Sequence, residues 1–367
     1  MQKSNYHCKS YWPRATAKST VDYNDRLATC YCIWKNEDSQ VLDDFPLSVV
    51  FVHGSQCNKE LFTFHAETLL RHFGPKLQMC IGVDAVTHGD SALVNHDKLG
   101  VYAGWDDIAR DVALVLHDCI DNRGLKGEIF FCGHSMGGAV GLILGSLEPN
   151  LLSGIISLDP VYFPSGDLPI GPFLEHNVGL VRKTSRGKWS FNNWKEYEKY
   201  YQERFCRNWD PRVKEPFIAA SAITLSDGSV QTKANIANQA SAYASSSSMM
   251  GLTDTLYRTL AIPVMIIAGY KDGQYGVMDP KSLHENIEGS SLIVITGGHN
   301  FPFEQPDETL SHIISFLEKT GGKAARWHRT PKHGAEATKW QIEHLGVFMD
   351  ERQKYVEKNY NSIRFKL

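Results

Sequence analysis

Glu128-Ile129-Phe130-Phe131-Cys132-Gly133-His134-Ser135-Met136-Gly137-Gly138-Ala139-Val140-Gly141-Leu142-Ile143-Leu144 decides the fold. Residues 128–132 form an apolar, partly aromatic run that reads as a buried strand. Residues 139–144 are small or aliphatic and read as a helix lying close against a sheet. Between them Gly133-His134-Ser135-Met136-Gly137 fits Gly-x-Ser-x-Gly, the nucleophile elbow. A strand that turns sharply into a helix strains its apex residue and leaves no room for side chains two positions before or after it. The apex serine is left exposed above the sheet, at a helix N-terminus that favours developing negative charge. The pattern alone is weak; a strand before it and a helix after it are the context that gives it meaning.

Outward from the elbow, strands and helices alternate. Upstream, residues 28–34, 47–52 and 79–84 read as strands. Leu61 to Phe73 carries helical spacing, and residues 105–120 form an amphipathic helix with Ile108, Val112, Val115, Leu116 and Cys119 on one face. Downstream, residues 155–158 are a further strand ending at Asp159-Pro160. Apolar strands alternating with helices indicate a mostly parallel sheet covered on both faces. The alternation stops for about a hundred residues, too long for an ordinary connection. This stretch carries an aromatic helix (Trp194, Tyr197, Tyr201, Phe205) and a hairpin over 222–232 with an Asp-Gly turn. Alternation resumes with strands at 262–269 and 292–295 and a closing helix at 310–317. The expected organisation is a core of residues 1–160 and 256–319, a mainly helical cap or lid inserted at 161–255, and a C-terminal extension at 320–367, helical over 340–360. The first twenty residues read as polar and without a strand.

A serine hydroxyl needs a base, and the base needs an acid to orient it. His299, on the glycine turn Gly297-Gly298-His299 after the last strand, is the candidate base. Two aspartates end strands at the same sheet edge: Asp272, on a glycine loop, is preferred as the acid, and Asp159 is the alternative. The turn His53-Gly54-Ser55-Gln56 leaves the strand 47–52, where an oxyanion hole is built. Its two donors are the amide of Met136 and the amide of Ser55, or of Gln56 one step on.

Composition narrows the field. The chain has 367 residues and net charge -3, with no basic excess that would point to nucleic acid. No apolar run reaches the ~20 residues of a transmembrane segment. The start, Met1 to His7, lacks the apolar stretch of a secretory signal. Eight scattered cysteines, several inside apolar runs, are read as reduced and the protein as intracellular. The histidines lack metal-ligand spacing, so no metal and no cofactor are expected.

Taken together, Val52-His53-Gly54-Ser55, Asp84 with Thr87-His88-Gly89-Asp90-Ser91, Gly133 to Gly138 and Gly297-Gly298-His299 resemble the α/β-hydrolase superfamily. Within it, Trp12-Pro13-Arg14, Asp25-Arg26-Leu27, Leu99-Gly100, Trp105 and Ala109-Arg110-Asp111-Val112 resemble fungal peroxisomal lipase-type serine hydrolases. The resemblance implies an α/β-hydrolase fold and a lipase- or esterase-like serine hydrolase acting on a small-molecule acyl ester. It also keeps Asp159 in play, since some branches carry the acid at that position. A thioesterase or acyltransferase would use the same residues, and a ligand-binding protein could keep the fold without turnover. The chain ends Phe365-Lys366-Leu367, which matches the last two positions of the Ser-Lys-Leu signal but departs at the third from the end. That end is read as a docking signal for a peroxisomal import receptor, giving a peroxisomal matrix location with a cytoplasmic alternative.

Overall fold

The structure is a computed structural model that describes residues 1–14, 16, 18–36, 46–162, 170–246, 256–276 and 280–322, and seven residues between 338 and 350. Residues 1–322 form one compact unit and residues 323–367 a second. In the second unit the described residues, including Ile342, Leu345 and Met349, are helical and exposed. The terminal Phe365-Lys366-Leu367 and the remainder of the expected 340–360 helix lie outside the described residues.

The first unit is built on one large sheet. Its strands are β1 (Gln2–Lys9), β2 (Ala28–Lys35), β3 (Leu47–Val52), β4 (Leu77–Val83), β5 (Glu128–His134) and β6 (Gly154–Leu158). After the inserted segment come the strands Val264–Lys271, Gln274–Tyr275 and Ser291–Thr296. The order runs β1-β2-β4-β3-β5-β6, then Val264–Lys271, which pairs with both of the last two strands. From β4 through Ser291–Thr296 the long strands are parallel, whereas β1 and β2 pair antiparallel. The fold is an α/β-hydrolase fold, as the residues lead one to expect. Alternating side chains of β3 show why: Val50 and Val52 point into one apolar layer, Val49 and Phe51 into the other. Helices Trp105–Asn122 and Met136–Leu147 cover the first layer. Helix α1 (Thr63–Phe73), earlier in the chain, and the helix Pro306–Thr320 cover the second.

One expectation fails at the N-terminus. Residues 2–9 form the edge strand β1, ahead of the strand at 28–34 that the sequence reads as the first. Ser4, Tyr6 and Cys8 face inward while Lys3, Asn5, His7 and Lys9 face solvent. Polar and charged residues suit an edge, where they discourage pairing with another chain, and so disguise the strand.

Between β6 and Val264 the chain leaves the sheet. This inserted segment contains the helices Ile170–Ser185, Trp194–Tyr200, Pro211–Ala220 and Ile236–Ala244, and a small antiparallel sheet of Ser190–Phe191, Val230–Thr232 and Ala222–Thr224. Tyr197 is fully buried, its hydroxyl donating to the Ile218 carbonyl. Beyond it the helix widens into a π-turn over Tyr201–Phe205, a form often found beside functional sites. The aromatic stripe therefore divides: Tyr197 and Tyr201 pack inward, and Phe205 reaches a cavity above Ser135.

Candidate active site

Ser135 sits between β5 and the helix Met136–Leu147 with φ 56° and ψ −116°, a conformation costly for a residue with a side chain. The surroundings enforce it. The Ser135 amide donates to the Leu158 carbonyl, and the Ser135 carbonyl accepts from Ala139 and Val161. A Cβ at position 133 would lie 2.3 Å from the Gly137 carbonyl oxygen, and one at 137 would lie 2.1 Å from that of Val52. The two glycines of the motif are thus required by backbone packing on either side of the serine.

His299 follows the strand Ser291–Thr296 and lines the same cavity as Ser135. Its Nδ1 lies 2.6 Å from Asp159 Oδ2, and the other carboxylate oxygen, Oδ1, accepts from the Gly269 amide at 3.0 Å. Asp159, at the end of β6, is 3% exposed; His299 is partly open to the cavity. Gly276 makes the approach feasible, since a Cβ there would fall 2.3 Å from Asp159 Oδ2 and 2.9 Å from His299 Cα. The aspartate preferred from sequence is elsewhere. Asp272 lies in the turn between Val264–Lys271 and Gln274–Tyr275, exposed and with φ 53°. Both aspartates end neighbouring parallel strands, but the hairpin carries Asp272 away from the histidine.

His134, inside the motif, has a role the sequence did not signal. Its Nε2–H donates to the His299 carbonyl at 2.9 Å, and the two rings stand 4.6 Å apart. Burial, reinforced by the neighbouring His299, keeps it far below the ordinary histidine range, hence neutral. It holds the backbone of the His299 loop.

The loop after β3 is fixed from behind by two more buried histidines. His53 Nδ1–H donates to the Gly54 carbonyl at 2.8 Å, and its Nε2 accepts from the Ala85 amide. Burial lowers His53 to about 4, so this one-donor, one-acceptor state persists at neutral pH. The Gly54–Ser55 peptide is trans, so the Ser55 N–H points opposite to that carbonyl, away from His53. The Gln56 amide is already taken: it donates to His88 Nε2 at 2.9 Å, with Thr87 Oγ1 at the other ring nitrogen. The Gln56 amide is thus already engaged, and the Ser55 hydroxyl reaches the Met136 sulfur at 3.7 Å. Behind this loop lies a buried ionic cluster. Asp84 accepts from the Lys59 amide, the Lys59 ammonium and the Asp90 amide, and Asp90 also meets Lys59 and Lys233.

The cavity over Ser135 has a volume of about 290 Å³, at the small end of ligand pockets. Cys57, Trp105, Val161, Leu180 and Phe205 supply its apolar wall, and Asn177, Tyr243 and Ser246 its polar part. Asn177 Nδ2 donates to Ser246 Oγ. Among the described residues no cluster of histidine, cysteine or acidic groups is arranged to hold a metal. No helix among them is long and apolar enough to cross a membrane.

Residues 49–312 match the alpha/beta hydrolase family. Over 338 residues the chain is 27% identical to the peroxisomal membrane protein LPX1 of Saccharomyces cerevisiae, covering 85% of this chain and 86% of that one. The crystal structure of the yeast peroxisomal alpha-beta-hydrolase Lpx1 superposes with a TM-score of 0.75 at 22% identity, covering 98% of both chains. A shorter stretch of 146 residues is 29% identical to the type I acyl-CoA thioesterase mpaH of Penicillium brevicompactum, covering 39% of this chain and 33% of that one.

Proposed function

The chain belongs to the alpha/beta hydrolase family, and on that premise we propose that it is a serine hydrolase cleaving a carboxylic ester through an acyl-enzyme on Ser135. The observation that carries this reading is the hydrogen bond of His299 Nδ1 to Asp159 on the cavity that contains Ser135. In it, the imidazole Nε2 takes the Ser135 proton as the hydroxyl attacks the acyl carbonyl, then returns it to the leaving alcohol. Water repeats the cycle on the acyl-enzyme. Asp159 keeps the imidazole proton on Nδ1 and offsets the imidazolium charge. The amides of Ser55 and Met136 receive the oxyanion.

Residues 161–255 act as a cap over a core of residues 1–160 and 256–319. The apolar wall with Leu180 and Phe205 takes the acyl chain. The test is hydrolysis of p-nitrophenyl esters of increasing acyl length by wild type and Ser135→Ala. Turnover is expected to peak at short to medium chains and to vanish in the variant. Inactivity of wild type at every length, or an active variant, would refute the reading. Similarity to an acyl-CoA thioesterase favours a second reading, in which a thioester acylates the same serine; release of free thiol from acyl-CoA, run in parallel, decides between them.

A peroxisomal location is supported by the yeast relative. A fluorescent protein fused to the N-terminus is expected in peroxisomes, and to leave them when residues 365–367 are removed. Retention after that removal would refute the terminal signal.

A further inference from the structure

We propose that Gln56 is a positioning residue that makes the aim of the Ser55 oxyanion donor depend on the cap being seated; this rests on the hydrolase reading above. Three observations meet at this residue. Its backbone is in the left-handed region, φ 67°, which an L side chain adopts only when held there. Its amide is tied to His88 on the core side. Its side chain points the other way, into the cap. One side-chain amide donates to Thr184 Oγ1 at 3.2 Å, on the helix Ile170–Ser185, and to Tyr243 OH at 3.0 Å, on the helix Ile236–Ala244. Both Nε2 hydrogens are thereby used.

The consequence falls on the adjacent residue. The plane of the Gly54–Ser55 peptide decides where the Ser55 N–H points, and the left-handed Gln56 backbone is the next joint in that loop. Packing behind the joint is incomplete. Behind Gln56 to Asn58 lies a polar space of about 20 Å³, lined by Asn58, His88, Ser221, Thr232 and Gln239 among others. It holds no more than about one water, and Tyr201 and Ala234 complete its lining beside the polar groups. Asn58 Oδ1, buried beside it, has no hydrogen-bond partner among the described residues. Hydrogen bonds hold the loop from two sides: from the core, His53 and the Cys57 amide at the Gly54 carbonyl and His88 at the Gln56 amide; from the cap, Thr184 and Tyr243 at the Gln56 side chain. When those two helices lift, the cap half of the clamp is lost. The loop then relaxes away from the strained backbone, and the Ser55 N–H turns off the oxyanion position. Substrate that seats the cap completes the hole.

The test compares Gln56→Leu with the double variant Thr184→Val/Tyr243→Phe, which keeps shape and removes the two cap acceptors, Tyr243 also lining the cavity over Ser135. On a short, soluble p-nitrophenyl ester each is expected to lower kcat about tenfold, below the ~10²–10³ of losing an oxyanion donor outright. KM should stay within about twofold. Combining all three changes should cost no more than Gln56→Leu alone. Hydrogen exchange supplies a readout that does not need turnover: in Thr184→Val/Tyr243→Phe, the amides of Gln56 and Cys57 are expected to exchange faster. Unchanged exchange at these amides refutes the coupling, whether or not the protein hydrolyses esters. So does a variant that changes KM or melting temperature but not kcat. If wild type and variants alike hydrolyse nothing while the exchange difference is present, the coupling stands and the hydrolase reading fails.

Discussion

Replacing Asp159 by asparagine is expected to remove nearly all turnover and leave the fold intact, whereas the same change at Asp272 is expected to do almost nothing. Asparagine is the appropriate probe for both. It matches the aspartate in size, and it tolerates the positive φ of 42° at 159 and 53° at 272. At 159 its carbonyl oxygen can still accept from the Gly269 amide, so the end of β6 stays anchored. What changes is the partner of His299. An amide NH₂ facing Nδ1 at the 2.6 Å contact needs an acceptor there, which shifts the imidazole proton to Nε2. An imidazole protonated on Nε2 cannot take the Ser135 proton. The same substitution in other triads costs about 10⁴ in kcat, or ~5.5 kcal/mol of barrier. The assay is steady-state hydrolysis of a short p-nitrophenyl ester, with Ser135→Ala as the floor and melting temperature as the check on folding. Asp159→Asn should approach that floor with a KM close to wild type, and Asp272→Asn should stay within about twofold of wild-type kcat. Retention of a tenth or more of wild-type kcat by a folded Asp159→Asn would refute the assignment, as would an equal loss in Asp272→Asn.

Two further outcomes follow from the structure. Gly137→Ala drives a methyl into the Val52 carbonyl, a backbone atom that cannot swing aside. Its cost is expected to reach at least the ~1–3 kcal/mol of core overpacking, and a urea midpoint unchanged from wild type would contradict the steric account of the elbow. Acid should also weaken the fold. Burial holds His53 and His65 down to about 4, and His88 and His134 well below their ordinary value. The unfolded chain therefore binds these protons first, and stability is lost from about pH 6.5 downward, the share of His53 and His65 ending near pH 4. Each contributes up to ~1.4 kcal/mol per pH unit. Asp111, which burial raises to about 6, works in the opposite sense and offsets part of the loss. The urea midpoint is expected to fall between pH 7 and pH 5; no change would contradict the buried neutral histidines.

The elbow was legible because its constraint is local: a strand, a turn that excludes side chains at 133 and 137, and a helix are all written in consecutive residues. The His299 turn could be placed for the same reason, since it follows the last strand directly. The choice between Asp159 and Asp272 was not legible. Both end adjacent parallel strands, and the deciding facts are a two-residue strand at Gln274–Tyr275 and the space left by Gly276. The engagement of the Gln56 amide was equally hidden, because its partner, His88, lies 32 residues away. The motif Thr87-His88-Gly89-Asp90-Ser91 was visible in the sequence, but only its tertiary contacts show that it supports the loop after β3. β1 escaped because an edge strand carries lysines where a central strand carries valines.

The central claim is that Ser135 is the nucleophile activated by His299. Covalent trapping tests it without assuming a substrate. The protein is incubated with an alkyl fluorophosphonate and the modified peptide is identified by mass spectrometry. The account predicts one adduct, on Ser135, absent from Ser135→Ala and formed far more slowly by His299→Gln. Labelling at another residue, or none at all in the folded wild-type protein, would contradict it.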